Sequence, residues 1–183
     1  PLGFRLVDAG IVQPDDRRVG IRVLGPVEVD GGEHLRPRDR AVLAALVVRR
    51  GRAASPDEIA EAVWGDAPPM SWSKQIQICI VRLRKVLTHE AIQTSGDGGY
   101  RLVAGGTEID VDRLEDLIAR ARELFAADEP DRAATALERA LALVRGEPFR
   151  AIDGWPPAAA ESGRLKEVVQ APQDDLLGAR LGL

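Results

Sequence analysis

The chain reads as mainly α with a small antiparallel β component, in two successive units. Residues 20–105 combine short alternating strands, three amphipathic helical stretches and a Gly-rich hairpin, whereas the residues from 107 onward read as helices alone. Charge divides at the same place. Residues 20–105 hold twelve Lys/Arg against ten Asp/Glu, and residues 106–183 hold ten against sixteen, within an overall charge of −4. A mildly basic unit joined to an acidic one is a cue for a nucleic-acid module attached to something else. The chain of 183 residues, 45% apolar, has room for one large or two small folded domains.

Ile21-Arg22-Val23-Leu24 and Val27-Glu28-Val29 alternate apolar and polar residues around Gly25-Pro26, as half-buried strands do. Asp30-Gly31-Gly32 supplies a hairpin turn, and a third strand near His34-Leu35 would complete a small antiparallel sheet. Pro37 precedes a helix from about Arg38 to Arg50 with Val42, Leu43, Leu46 and Val47 inward, stopped by Gly51. Ser55-Pro56-Asp57-Glu58 is an N-cap with proline at the first helical position and acids in the first turn, where they complement the helix dipole. The helix it opens runs through Ile59, Ala60 and Val63 to Trp64, and Gly65 closes it. Asp66-Ala67-Pro68-Pro69 is a loop.

Ser71 to Thr88 is the most informative stretch. Ile76, Ile80, Leu83 and Leu87 fall on one apolar stripe at helical spacing. Lys74, Gln77, Arg82 and Lys85 lie off it, Arg84 flanks it, and no acidic residue occurs in the stretch. A helix with one face in a core and an acid-free basic and amide face outward suits a duplex groove. Residues 91–103 form a hairpin around Ser95-Gly96-Asp97-Gly98-Gly99, the wing of a winged helix-turn-helix domain. Together these features point to a DNA-binding regulator.

Ala104-Gly105-Gly106-Thr107 has linker composition. After it, Asp110 to about Ala127 forms a helix with Leu114, Leu117, Ile118, Ala121 and Leu124 inward. A second helix starts at Pro130 or Asp131 and runs to about Arg145, with Ala133, Ala136, Leu137, Ala140, Leu141 and Val144 on its inner face. Two such helices with alanines where they touch look like one tetratricopeptide-type hairpin. A lone hairpin leaves a face open, so it is expected to pack on the first domain, on a partner copy or on further repeats. Residues 155–183 read as two more helical pieces interrupted at Pro172.

Several functions find no support. There is no phosphate-binding loop, nucleophile elbow or zinc-protease motif, so the chain is read as no enzyme. One cysteine and two histidines make no zinc site, and no cofactor is implied. No apolar run spans a membrane and no signal peptide is seen, which leaves the cytoplasm as the expected location.

The order of elements, with R-P-R-D-R-A-V-L-A-A-L-V (36–47), P-D-E-I-A-E-A-V-W-G (56–65), Q-I-Q-I-C-I-V-R-L-R-K-V-L (75–87) and G-G-Y-R-L (98–102), resembles the OmpR/PhoB-type winged helix. G-T-E-I-D-V-D-R-L (106–114), the alanine-rich hairpin and R-G-E-P-F (145–149) resemble the bacterial transcriptional activation domain. In tandem they are similar to the N-terminal half of SARP-type regulators, the actinobacterial AfsR/DnrI/EmbR group. The resemblance divides the chain into an extension (1–19), a winged helix (20–104) and an activation domain (107–183), the last shorter than the family's and so taken as incomplete.

The same resemblance implies that the third helix enters the major groove of promoter DNA. It places Arg82 at the reading face, Arg84 and Lys85 towards phosphates, and Lys74 and Gln77 near the helix start facing DNA. Arg101 in the wing strand would reach backbone phosphate. It further implies an activator that binds tandem repeats, as a homodimer or head to tail, and contacts RNA polymerase through the loop Asp66 to Ser71. Cys79 and Val81 stand where the family is polar or basic, and Gly96 where its wing carries an arginine. These departures motivate a second reading, a protein-interaction module of a larger signalling protein that has lost specific DNA binding.

Other residues carry blander expectations. About half of Arg36, Arg38, Arg40, Arg49, Arg50 and Arg52 would be solvated, with one or two touching phosphate. Trp64 is a core residue. Trp72 either packs against the loop or meets DNA or polymerase. Cys79 is read as a passive half-buried thiol in preference to a redox switch, for which the only cue is a set of basic neighbours able to lower its pKa.

Overall fold

The computed structural model describes residues 19–31, 35–103 and 107–181, with side chains to residue 170. Strands β1 (Val19–Arg22) and β2 (Glu28–Val29) pair antiparallel, with Ile21 opposite Val29. Three helices follow: α1 (Pro37–Val48), α2 (Pro56–Trp64) and α3 (Trp72–Val86). A 3₁₀ turn (His89–Ala91) leads into a hairpin of β3 (Ile92–Thr94) and β4 (Tyr100–Leu102). Strand β5 (Thr107–Ile109) then feeds α4 (Asp110–Ala126), α5 (Pro130–Leu141) and α6 (Pro156–Leu181). The architecture is the expected one, a winged helix-turn-helix unit followed by a helical unit.

Local chemistry explains the boundaries. Ser55 Oγ accepts from the Glu58 N–H at 3.1 Å while the Glu58 carboxylate accepts from the Ser55 N–H at 2.8 Å, a complete capping box at the start of α2. The wing is anchored to the connection between α1 and α2, because Ala54 and Tyr100 exchange backbone hydrogen bonds of 2.8 and 2.9 Å.

Four sequence expectations are corrected. The third strand is β5, not the segment near His34-Leu35. Residues 32–34 lie outside the described residues, and Leu35 is a buried non-strand residue two positions before α1. β5 pairs parallel to β1, Val19 with Thr107, so the sheet is mixed, ordered β2-β1-β5. Thr107 is therefore strand, not linker, and Val19 is strand, not extension; residues 1–18 and 104–106 lie outside the described residues. α5 stops at Leu141, because the Arg145 N–H is drawn 2.7 Å from the Leu24 carbonyl. Finally, α6 is one helix running through Pro172, where the proline removes one N–H donor without interrupting the helical path.

The two sequence units share one core. Ile21, Leu43 and Leu46 belong to the same buried cluster as Leu114, Phe149, Trp155 and Leu165. α1 is covered on all sides: Asp39 and every residue from Ala41 to Val48 are buried, because α2 and α3 pack on it and so do α6 and the turn Arg150–Ile152. The hairpin's open face is closed by β1 of the first unit on the α4 side and by α6 on the α5 side. Its own contact is lined with small residues, Ala121, Ala133 and Ala136, beside Leu124 and Leu137.

Two polar devices lock the junction. Asp110, 7% exposed, accepts hydrogen bonds from the N–H groups of Val23 (2.9 and 3.0 Å) and Leu24 (3.0 Å). The Arg145 guanidinium reaches Glu28 at 2.9 Å and the Pro26 carbonyl at 3.1 Å, across Gly25. Gly25 has φ 142°, and a Cβ there would meet Arg145 Cβ at 3.0 Å, so glycine is required for this approach. The second device is an ion network. Arg50, in the left-handed region at φ 46°, donates to Glu115 (2.7 and 3.1 Å) and Glu161 (2.9 Å), and Arg164 donates to the same two carboxylates at 2.6 and 2.7 Å.

The network makes acid stability testable. The Arg50 hydrogen bond, helped by Arg164, holds the Glu115 carboxyl below its usual range. Burial pushes Glu161 the other way, but the hydrogen bonds of Arg164 and Arg50 outweigh it and its pKa is also lowered. With folded pKa values below the unfolded ones, this contribution is complete above the ordinary glutamate value of 4.5 and is lost as pH falls from there through the lowered folded values. The pairs are partly exposed, so screening keeps the gain modest. Glu115→Gln/Glu161→Gln should lower the thermal midpoint at neutral pH and flatten its fall on acidification. An acid limb identical to that of the parent protein would show that the network adds nothing.

Candidate nucleic-acid interface

α3 buries Ile76, Cys79, Ile80 and Leu83, while Trp72 and Val86 pack at the edge of the same core. At about 100° per residue, Lys74, Gln77, Ile78, Val81 and Lys85 then fall on its outer face. All five are exposed, Ile78 by 43% and Val81 by 52%. Lys74, Gln77 and Lys85 make no side-chain hydrogen bond or ion pair among the described residues, so their donors face solvent. Trp72 is half-buried against the core, in line with the packing alternative.

Arg82 is not free on that face. Its Nε donates to Asp39 Oδ2 at 2.9 Å and its Nη2 to Oδ1 at 2.6 Å, a bidentate fork onto a carboxylate that is 4% exposed. Asp39 lies in the first turn of α1, so the fork fixes α3 against α1. Arg84 is engaged as well: its Nε donates to the Ile92 carbonyl and its Nη2 to Thr94 Oγ1, both at 2.9 Å, tying α3 to the first wing strand. Arg101 is exposed on β4 and donates to Gln93 Oε1 at 2.8 Å across the hairpin register.

Cys79 is corrected in two respects. It is 1% exposed and belongs to the core, not to the groove-facing side. Its thiol pKa is pushed up to about 12, first by burial and then by the hydrogen bond with Asp39, the opposite of activation by basic neighbours.

The wing tip carries an acid and no cation. Gly96 is exposed, and the Asp97 carboxylate accepts from Ser95 Oγ at 2.6 Å and from the Gly99 N–H at 3.1 Å; the Ser95 bond, then the Gly99 bond, hold its pKa down. Beside α3, the exposed Arg38 stacks its guanidinium 5.3 Å from the ring centre of Trp64, which is half-buried, not fully in the core. Of the other arginines around α1, Arg36 is exposed, Arg40 is half-buried, Arg49 pairs with Glu58 at 3.3 Å, Arg50 joins the network and Arg52 reaches the Arg49 carbonyl. Among the described residues no group of three His, Cys, Asp or Glu could hold a metal ion, and no helix is long and apolar enough to cross a membrane.

Sequence reasoning missed Asp39 as the partner of Arg82, and it missed Ile78. The first lies 43 residues from Arg82 and left no local signal. The second was readable, since Ile78 is four positions from Lys74 and three from Val81.

Two outcomes follow. Arg82→Ala strands a buried carboxylate and should cost about 3 kcal/mol of stability in urea unfolding, whereas Asp39→Ala/Arg82→Ala should recover much of it. An unchanged midpoint for Arg82→Ala would mean that the fork contributes nothing. Cys79 should react with a thiol reagent at mildly alkaline pH only as fast as the chain opens; immediate labelling of the native protein would contradict its burial.

Known proteins provide the last comparison. Residues 31–102 match the family described as transcriptional regulatory protein, C terminal, and residues 109–183 match the bacterial transcriptional activator domain. The regulatory protein AfsR of Streptomyces griseus is 35% identical over 149 residues, covering 79% of this chain and 15% of that protein. The transcriptional regulator RedD of Streptomyces coelicolor is 34% identical over 139 residues, covering 70% of this chain and 39% of that protein. The chain thus spans well under half the length of these relatives. Mycobacterium tuberculosis EmbR, solved in complex with a low-affinity phosphopeptide, shares the fold with TM-score 0.77 at 24% identity, over 90% of this chain and 46% of EmbR. An OmpR/PhoB-type domain joined to a bacterial transcriptional activator domain, with relatives of this kind, places the chain in the SARP-type family of transcriptional regulators.

Proposed function

We propose that the chain is a sequence-specific DNA-binding activator in which α3 enters the major groove of promoter DNA and the wing lies along the adjacent backbone. The observation that carries this reading is the acid-free outer face of α3, where Lys74, Gln77 and Lys85 have no side-chain partner among the described residues. A helix of about 10–12 Å diameter fits a groove about 12 Å wide. Lys74 and Lys85 supply sequence-independent attraction to phosphate, and Gln77 carries an amide suited to the N6/N7 edge of adenine. Arg101 and Arg38 are exposed cations placed to meet phosphate on either side. Arg82 and Arg84 act one step back, holding the helix against α1 and the wing.

One α3 covers only one groove segment, so affinity would come from two copies on repeated sites, as a homodimer or head to tail. Polymerase contact is assigned to the loop between α2 and α3, in which Met70 is fully exposed. The second reading, a protein-interaction module, draws on the exposed Ile78 and Val81.

Selection from a random duplex library separates the two. A repeated short motif is expected, and no enrichment would favour the interaction module. Affinity should fall steeply with salt, and Lys85→Ala should reduce the slope of log K against log salt by about 1 without altering the preferred sequence. Gln77→Ala should relax preference at one position at a cost of about 1–3 kcal/mol.

A further inference from the structure

Among the described residues the large apolar side chains that stand exposed are Met70, Ile78, Val81 and Phe125. Two of the four lie on α3, three positions apart and in line with Lys74 and Lys85. Exposed β-branched residues are poorer helix formers than the arginine, lysine or glutamine that such positions admit, and here both stand outside the core cluster with about half of each side chain in solvent. They do offer methyl groups held at a fixed χ1, with little side-chain freedom to lose on contact.

The polar groups around them are fewer than the sequence alone suggests. Arg82 is forked onto Asp39, and Arg84 is bound to the Ile92 carbonyl and Thr94. Gln77 remains, with the amines of Lys74 and Lys85 above and below. In the major groove an aliphatic side chain has one complementary feature, the C5-methyl of thymine, and a glutamine amide matches adenine. Ile78 and Val81 would cover donors and acceptors of either pair without satisfying them, and only A·T returns a methyl contact in exchange, so a G·C pair is the less favourable.

Resting on the groove reading of α3 given above, we infer that Ile78 and Val81 read thymine methyl groups. With Gln77 on adenine, the chain therefore selects A·T pairs beneath the middle of α3.

The test uses the full chain and the duplexes recovered by selection, resynthesised with deoxyuridine replacing each thymine in turn. Each replacement removes one methyl group and leaves the pairing edge and the phosphates unchanged. One or two positions should lose about fourfold in affinity, the value of one buried methyl group, with an unchanged salt slope. Ile78→Ala and Val81→Ala should each abolish one of these sensitivities, and Val81→Thr, which keeps a methyl group, should retain its own. Both side chains are exposed, so the unfolding midpoints of the variants serve as the control for folding. Specific binding that ignores deoxyuridine everywhere, or a sensitivity that persists in Ile78→Ala/Val81→Ala, overturns this inference and leaves the groove reading standing. Failure to bind any duplex overturns both.

Discussion

The structure hinges on the Asp110 carboxylate. Where β1 ends, the N–H groups of Val23 and Leu24 have no strand partner, and Asp110 takes both. Burial raises its pKa, while those N–H groups and then Arg145, 3.9 Å away, act in the opposite direction. Asp110 is also the first residue of α4, where the helix dipole favours a negative charge. One side chain therefore ends a strand, starts a helix and joins residues 87 apart.

From that joint the remaining packing follows. β5 immediately precedes Asp110 and must lie beside β1, which turns a two-stranded ribbon into a three-stranded sheet. α4 then lies against β1 and β5, α5 returns along it, and α6 closes over α1. The network of Arg50, Glu115, Glu161 and Arg164 sits at the edge of this contact, where partial exposure makes it a fastener more than a source of stability. α1 is shared between the helical unit and α3, so both units rest on one common core.

How far the sequence revealed this depends on the range of each interaction. The α2 capping box, the α3 stripe and the α4–α5 alanine contact are local, and their spacing alone was enough to place them. β5 was hidden because Thr107–Ile109 is only three residues long and follows glycines that read as linker; its partner strand lies 88 positions away. α1 held a clue that the periodic reading undervalued: A-V-L-A-A-L-V-V has no polar side, and a helix without one is covered all round. The candidate site was legible as a helix but not residue by residue. Arginines in the motif R-L-R-K look free in one dimension, and only the tertiary contacts show that Arg82 and Arg84 are already engaged.

That engagement separates two tasks that the sequence seemed to combine. The arginines place α3, through a buried carboxylate on one side and a wing carbonyl on the other. In the proposed groove reading, affinity rests on the lysines, whose charge acts over roughly a Debye length of 8–10 Å and is indifferent to sequence. In the same reading, specificity rests on Gln77, Ile78 and Val81, whose contacts would be short-ranged. The overall charge of −4 does not oppose this, because the excess acid lies in the second unit. α3 packs on α1, α2 and the wing strand, whereas α4 packs on the sheet and α6 on α1, so a duplex docked as proposed would meet the nearby lysines of α3 first and the net charge of the chain second.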